Sequence, residues 1–492
     1  MEDRVLQDIE PKEVFRYFED LTRIPRESGN EREVTDYLIA FAQKHGLEWF
    51  RDEELNVLIK KNASPGYENH PGVILQGHTD MVCEKNENIV HDFAKDPIKL
   101  VVDRDHITAT DTTLGADDGI GIAIALALLA DENAEHPFIE VVCTSDEERG
   151  MKGVEAFDTS LLKGEILINL DSNDEDIFTV GCAGGPAVRT EIPVAREERK
   201  PGWVALNIKI SGLIGGHSGE DIHRGRANSN KLMARVLLAI DRETDSQLVD
   251  LSGGLRYNAI PREANSIIMV PTESIEKVKS IIEDMEDAFR REYRLSDTQI
   301  AVKVGFTAEG ASDQTGNIKP MTKLSKQAIL NYISFAETGI IRMDIEFKDT
   351  VESSVSLGVV RVEEDKAVLE TLTRSSLKSI YMETYYKILK LAESVGGKVG
   401  IMNNCPEWEY DPDSYIKTVF DETYKRMYGK DPGFVIIHAG LECGVIGNNS
   451  DRPIDMIAAG PLARNLHTPG EYVSISSTAR FWNFFHEVIK SI

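Results

Sequence analysis

Residues 115–150 read GADDGIGIAIALALLADENAEHPFIEVVCTSDEERG: an acidic pair, a long apolar stretch, a short apolar run and a second acidic pair. GIGIAIALALLA, 119–130, is apolar on every side, which predicts a helix buried all round. It is too short to cross a bilayer. FIEVV, 138–142, predicts a strand covered on both faces. Carboxylates stand at the mouth of each element: Asp117 and Asp118 before the helix, Glu147 and Glu148 after the strand.

The same alternation continues outward. PKEVFRYFEDLTRIP, 11–25, and EREVTDYLIAFAQKHG, 31–46, carry apolar residues three and four apart, as amphipathic helices do. NVLIKK, 56–61, GVILQGH, 72–78, and EILINLDS, 165–172, read as strands. Helices alternating with apolar strands predict an α/β sheet with helices on both faces, whose ligands sit at the carboxyl ends of the strands. Near GCAGGPAV, 181–188, the style changes to longer polar strands and helices, from AVRTEIPV at 187 through VSLGVVRVEEDKAVLETLTRSS at 355–376. The α/β style resumes with KVGIMNNCPEW, 398–408, and runs to a final helix. This predicts a catalytic domain of residues 1–186 and 399–492, split by an α+β insertion of residues 187–398.

The chain of 492 residues is too long for one ordinary core. Its hydrophobic share of 41% argues against disorder. A formal net charge of −28 argues against nucleic acid and anionic membrane as partners, since both would repel it. The N-terminal MEDRVLQDIE lacks the apolar core of a secretory signal. The five cysteines are scattered without metal-finger spacing, as expected of reduced thiols in a cytoplasmic protein.

Five segments offer metal ligands. In LQGHTDMV, His78 and Asp80 are two apart at a strand end and would face the same way. They are either a ligand with an orienting carboxylate or a surface pair in water. In DTTLGADDGIG a helix cap accounts for one of Asp117 and Asp118, not readily for both. Glu147 and Glu148 would point opposite ways in extended chain, so one can hold a metal while the other faces a water molecule as general base. Asp171 ends another apolar strand, and His467 lies in a loop before the last helix. The set His78, Asp117, Glu148, Asp171 and His467 mixes nitrogen and oxygen, which suits zinc, with manganese or cobalt as alternatives. A carboxylate shared between two ions makes a dinuclear centre. A competing zinc site pairs His438 and Glu442, four apart, on one helix face.

In order along the chain, GHTDMV, GADDG, SDEERGMKG, NLDS and NLHTPGE resemble the motifs of the M20 metallopeptidases. GCAGG, GLIGGHSGEDI, RGRANSNK and HAGLECG are similar to the branch of that family that cleaves dipeptides, Xaa-His among them. The resemblance covers nearly the full length. It implies a zinc-exopeptidase-like three-layer α/β/α catalytic domain with an inserted lid, and hydrolysis of small peptides. Aminoacylase, deacetylase or tripeptidase activity on the same metal core is the alternative. It further implies that Asp117 bridges two zinc ions, His78 and Asp171 holding one and Glu148 and His467 the other. Asp80 orients His78, and Glu147 is the general base. The Asp117–Asp118 peptide is cis. In the lid, His217 binds the oxyanion, while Asn258, Arg374 and Gly440 contact the substrate. Smaller members are usually dimers whose lid histidine reaches the partner's site, which makes a homodimer the expected assembly and leaves open whether His217 acts within its own subunit.

Overall fold

Val73–His78, Ile139–Thr144 and Ile166–Asn169 are buried at every position, and the three strands lie side by side and parallel. They form the centre of an eight-stranded sheet in a computed structural model that describes residues 4–306 and 319–492. Apolar side chains on both faces suit a strand covered on both sides. Glu48–Arg51 and Val57–Lys61 add antiparallel strands on one flank. On the other, Asp455–Ala458 runs parallel to Ile166–Asn169, followed by Ile177–Cys182 and Gly433–Ile437.

The apolar helix spans Ala116–Ala130 and lies on Val73–His78, with Lys12–Thr22 packed against it. From Gly119 to Leu129 it is buried at every position, as its lack of a polar face requires. Each fully buried Ile or Leu contributes about 1.5–3 kcal/mol. Farther along the sheet, Tyr415–Tyr428 packs against Ile475–Ser491 through an aromatic cluster in which Phe484 stacks on Phe178 at 5.4 Å and meets Phe420 edge-on.

The chain divides into two compact units. The first comprises Met1–Gly181, Tyr410–Ile436 and Leu441–Ile492; the second comprises Cys182–Glu409 and Ile437–Gly440. The second unit is built on a nine-stranded antiparallel sheet, from Ala301–Phe306 at one edge to Lys398–Cys405 at the other. Ser229–Glu243, Ile275–Glu292 and Lys323–Phe335 contribute to its main apolar core, which includes Met233, Leu237, Ile282, Phe289 and Ile333. Asn228 caps the first of these helices by accepting the N–H groups of Asn230 and Lys231.

The insertion therefore begins and ends elsewhere than expected. KVGIMNNC was read as the return of the α/β domain, but Lys398–Cys405 pairs antiparallel with Gly185–Pro193 and belongs to the second unit. Its mostly exposed residues fit an edge strand. Local patterning carries no trace of which sheet a strand joins. Among the described residues, no helix is long and apolar enough to cross a membrane.

Candidate metal centre

Because the three central strands run parallel, they release their chains at one edge of the sheet. His78 pairs with Thr144, and Gln76 with Asn169, so the loops that follow start level with one another. His78 ends its strand, Glu147 and Glu148 follow Thr144, and Asp171 follows Asn169. His467 arrives on the loop beyond Asp455–Ala458, the strand next to Ile166–Asn169.

Asp117 stands between the two histidines. Its Oδ1 lies 3.0 Å from His78 Nε2, and its Oδ2 lies 3.2 Å from His467 Nε2. Asp171 Oδ2 is 3.9 Å from the same His78 nitrogen, and Glu148 Oε1 is 2.9 Å from His467 Nε2. Two triads result, His78–Asp117–Asp171 and Asp117–Glu148–His467, each with its ligand atoms within 4.8 Å of one another. Ligands at metal–donor distances of 2.0–2.1 Å in a tetrahedron stand ~3.3 Å apart. The spacing therefore fits two cations with Asp117 in common. Glu147 falls within the same 4.8 Å range of His78 and Glu148.

The acidic pair before the helix divides its labour. Asp118 Oδ1 accepts the N–H of Gly121 at 3.1 Å, capping the regular part of the helix. Asp117 is thereby left to face the histidines. The peptide bond between them is cis, and neither has helical dihedrals.

The second pair does not sit in extended chain. Asp146 has φ 54°, which ends the strand, and the N–H groups of Gly150 and Met151 return to the carbonyl of Glu147 in a turn. The placement of Glu147 and Glu148, whose carboxylates both come within 4.8 Å of His78, thus does not follow strand alternation. The backbone of the turn is held by Asp80, whose Oδ1 accepts the N–H of Glu147 at 3.1 Å and whose Oδ2 accepts that of Glu148 at 3.2 Å. Asp80 also lies 3.4 Å from His78 Nδ1 and takes the hydroxyl of Ser28 at 2.7 Å.

The electrostatics call for positive charge. Burial, followed by the charge on Asp117, pushes the Asp171 carboxyl well above its ordinary range. Burial also raises Glu147 to about 8 and Glu442 to about 7, with neighbouring carboxylates adding to the effect. His467 is raised to about 10 by its bonds to Asp117 and Glu148. Carboxylates crowded in this way resist ionising together unless a cation joins them. The donor set, mixed nitrogen and oxygen, suits a borderline divalent ion.

His217, Asn258, Arg374 and Gly440 belong to the second unit. His217 Nε2 accepts from Arg374 Nη2 at 3.3 Å, and the N–H of Ser218 donates to the Asn258 carbonyl at 2.9 Å. Arg374 is buried, and its Nε finds no partner among the described residues. Gly440 closes the short segment that begins at Ile437. On that segment His438 bonds to Ser354 Oγ at 2.6 Å, and burial, with Arg374 and His217 nearby, lowers it to about 3. The helix begins only at Glu442. His438 and Glu442 therefore share no helix face, and the competing zinc site is lost. Glu442 instead accepts from Gln76 and from Thr144 Oγ1.

Sequence reasoning overlooked Ser28 and the buried Arg26 and Glu471, and it gave Glu442 a different role. Glu471 closes the quoted NLHTPGE motif, so its position beside His467 was a usable signal.

Comparison with known proteins finds relatives along the whole chain. Residues 208–297 match the M20 peptidase dimerisation domain. Over 487 residues the chain is 35% identical to the cytosol non-specific dipeptidase of Escherichia coli (strain K12), covering 99% of each protein. The chain belongs to the M20 peptidase family. The crystal structure of the aminoacylhistidine dipeptidase from Vibrio alginolyticus matches with a TM-score of 0.89 at 35% identity, over 99% of this chain and 98% of that one. An M20 family metallo-carboxypeptidase from Sulfolobus solfataricus matches with a TM-score of 0.52 at 13% identity, over 97% and 98% of the two chains, a likeness of fold alone. The α/β unit with an inserted antiparallel unit is thus the fold of this M20 family, and the dimerisation domain lies within the insertion.

Proposed function

We propose that the protein is a metal-dependent dipeptidase of the cytoplasm, acting on dipeptides that include Xaa-His. The observation that carries this reading is Asp117, which offers one carboxylate oxygen to each of two histidine-containing triads. The full-length similarity to a cytosol non-specific dipeptidase and an aminoacylhistidine dipeptidase supports the substrate class. His78 and Asp171 would hold one zinc ion and Glu148 and His467 the other, with Asp117 shared. Such a pair supplies Lewis-acid polarisation of a carbonyl and lowers the pKa of water toward neutrality.

The chain's own groups supply the rest. Asp80 fixes the ring of His78 and the backbone of Glu147 together. Glu147 takes a proton from the attacking water and passes it to the leaving amine, serving first as general base and then as acid. Arg374 offers a forked donor to the free carboxylate of a dipeptide. His217 is the candidate partner of the oxyanion, and Asn258 and Gly440 contact the substrate. A homodimer is the proposed assembly, supported by the dimerisation domain.

The test is a panel of dipeptides, tripeptides and N-acetyl amino acids, assayed on chelated protein and again after zinc, cobalt or manganese is restored. Cleavage of dipeptides only after metal is restored is the expected result. Hydrolysis of N-acetyl amino acids with no dipeptide cleavage would replace this reading with a deacylase.

A further inference from the structure

We propose that Glu471, with Arg26 opposite it, positions the shared carboxylate of Asp117 and so sets the affinity of the centre for its second cation. This rests on the dinuclear reading above.

Glu471 is 2% exposed. Its Oε2 accepts the N–H of Leu114 at 2.7 Å and of Gly115 at 3.0 Å. Its Oε1 accepts the N–H of Ala116 at 2.7 Å and of Asp117 at 3.4 Å. One carboxylate thus gathers four successive backbone donors, the last of them on Asp117 itself. Consecutive N–H groups curved around an anion form a nest. Here the anion is a side chain, delivered by the loop that also carries His467.

Arg26, also 2% exposed, works on the same segment from its carbonyl side. Its Nη2 donates to the Gly115 carbonyl, while Nη1 donates to the carbonyls of Thr79 at 3.0 Å and Asp80 at 2.9 Å. Gly115 has φ 71°, and a Cβ there would run into Arg26 Nη2 and the sulfur of Met81. Only a residue without a side chain lets the guanidinium approach so closely. The loops bearing His78, Asp117 and His467 are therefore joined by two buried charges that the reaction itself does not use.

A purely structural brace would stabilise the fold and leave the metals alone. The bonding pattern points further, because it fixes the backbone of the one residue that both triads share. A displacement of Asp117 withdraws the ligand that lets a second ion join the first.

The experiment is a cobalt titration of chelated full-length protein, followed by calorimetry and visible absorption, for wild type and Glu471→Gln. Glutamine keeps the shape but has one acceptor oxygen, and its amide would face two N–H groups. Wild type should take up two ions. The variant should keep one and bind the second about 10–100-fold more weakly, with an altered absorption per ion. Its kcat should fall more than its KM changes. Two ions bound with native affinity and a native spectrum would overturn the proposal, even if the melting temperature dropped. If wild type binds only one ion, the dinuclear reading falls, and the clamp is judged by whether Glu471→Gln weakens that ion. If circular dichroism shows Glu471→Gln unfolded, Arg26→Lys decides. It keeps the charge but loses the fork that reaches three carbonyls, and a native titration in that variant overturns the proposal.

Discussion

The carboxylate of Asp80 accepts the backbone N–H of Glu147 at 3.1 Å while standing 3.4 Å from the ring of His78. One fully buried side chain therefore sets both a candidate ligand and the candidate base. Burial works against its charge. The bonds from His78, Ser28 and the Glu147 N–H still hold it well below the usual carboxylate range. Asp80→Ala should lower metal affinity or turnover by about 10–100-fold. Ser28→Ala, which removes a single bond at 2.7 Å, should cost much less. Metal content and kcat measured on both variants check this. An Asp80→Ala protein with native kcat would show that the turn holds itself.

Glu147→Gln separates base from ligand. Glu148 makes the contact with His467 at 2.9 Å, so the variant should keep two metals and its melting temperature. Turnover should fall by about 10²–10⁴-fold, the span of general-base contributions. Single-turnover kinetics with metal analysis of the same sample checks it. Loss of metal together with activity would move Glu147 into the ligand set.

Removing the metals should make stability fall as pH rises. Glu147 ionises near 4.5 in the unfolded chain but keeps its proton to about 8 when folded. Across that window the folded state holds the extra proton, so rising pH destabilises it. His467 adds a slope of the same sign. Its stabilisation is complete below about 6.5, the unfolded value, and disappears as pH climbs toward about 10. Asp80 and Asp117 act the other way, but their depressed values make their contribution complete and flat above about pH 5. The melting temperature of chelated protein should therefore drop between about pH 6 and about pH 8. Zinc-loaded protein should not show the drop, since cations take the place of those protons. Scanning calorimetry at both pH values decides, and a chelated protein that is more stable at the higher pH would contradict the crowding argument.

Much of the centre was legible because parallel strands align their ends. Apolar runs finishing at His78, Thr144 and Asn169 place His78, Glu147, Glu148 and Asp171 on one edge whatever the loops do. Loop geometry was not legible. Asp146 has positive φ where Glu147 and Glu148 leave the strand, and the N–H groups that follow bond to Asp80, far away in sequence. Arg26 and Glu471 were passed over. Their partners are backbone groups of distant loops, so only the place of Glu471 in NLHTPGE hinted at a role, and nothing local hinted at one for Arg26. The edge strand Lys398–Cys405 was assigned to the wrong sheet for the same reason: its partner, Gly185–Pro193, is remote.

Arg374 supplies the last prediction. Its guanidinium is buried beside His217, with Nε unpaired among the described residues, as suits a group awaiting an anion. If that anion is the carboxylate of a dipeptide, wild type should cleave a dipeptide far better than its C-terminal amide. Losing one partner of a buried charge pair costs about 2–5 kcal/mol, or roughly 30-fold and upward in kcat/KM at about 1.4 kcal/mol per tenfold. Arg374→Ala should suffer that loss on the free acid and little on the amide, so the two substrates converge. Arg374→Lys should recover only part, because an ammonium lacks the fork that meets both carboxylate oxygens. The four kcat/KM values for wild type and Arg374→Ala on acid and amide form a double-mutant cycle. A coupling energy of zero would assign the carboxylate to some other group.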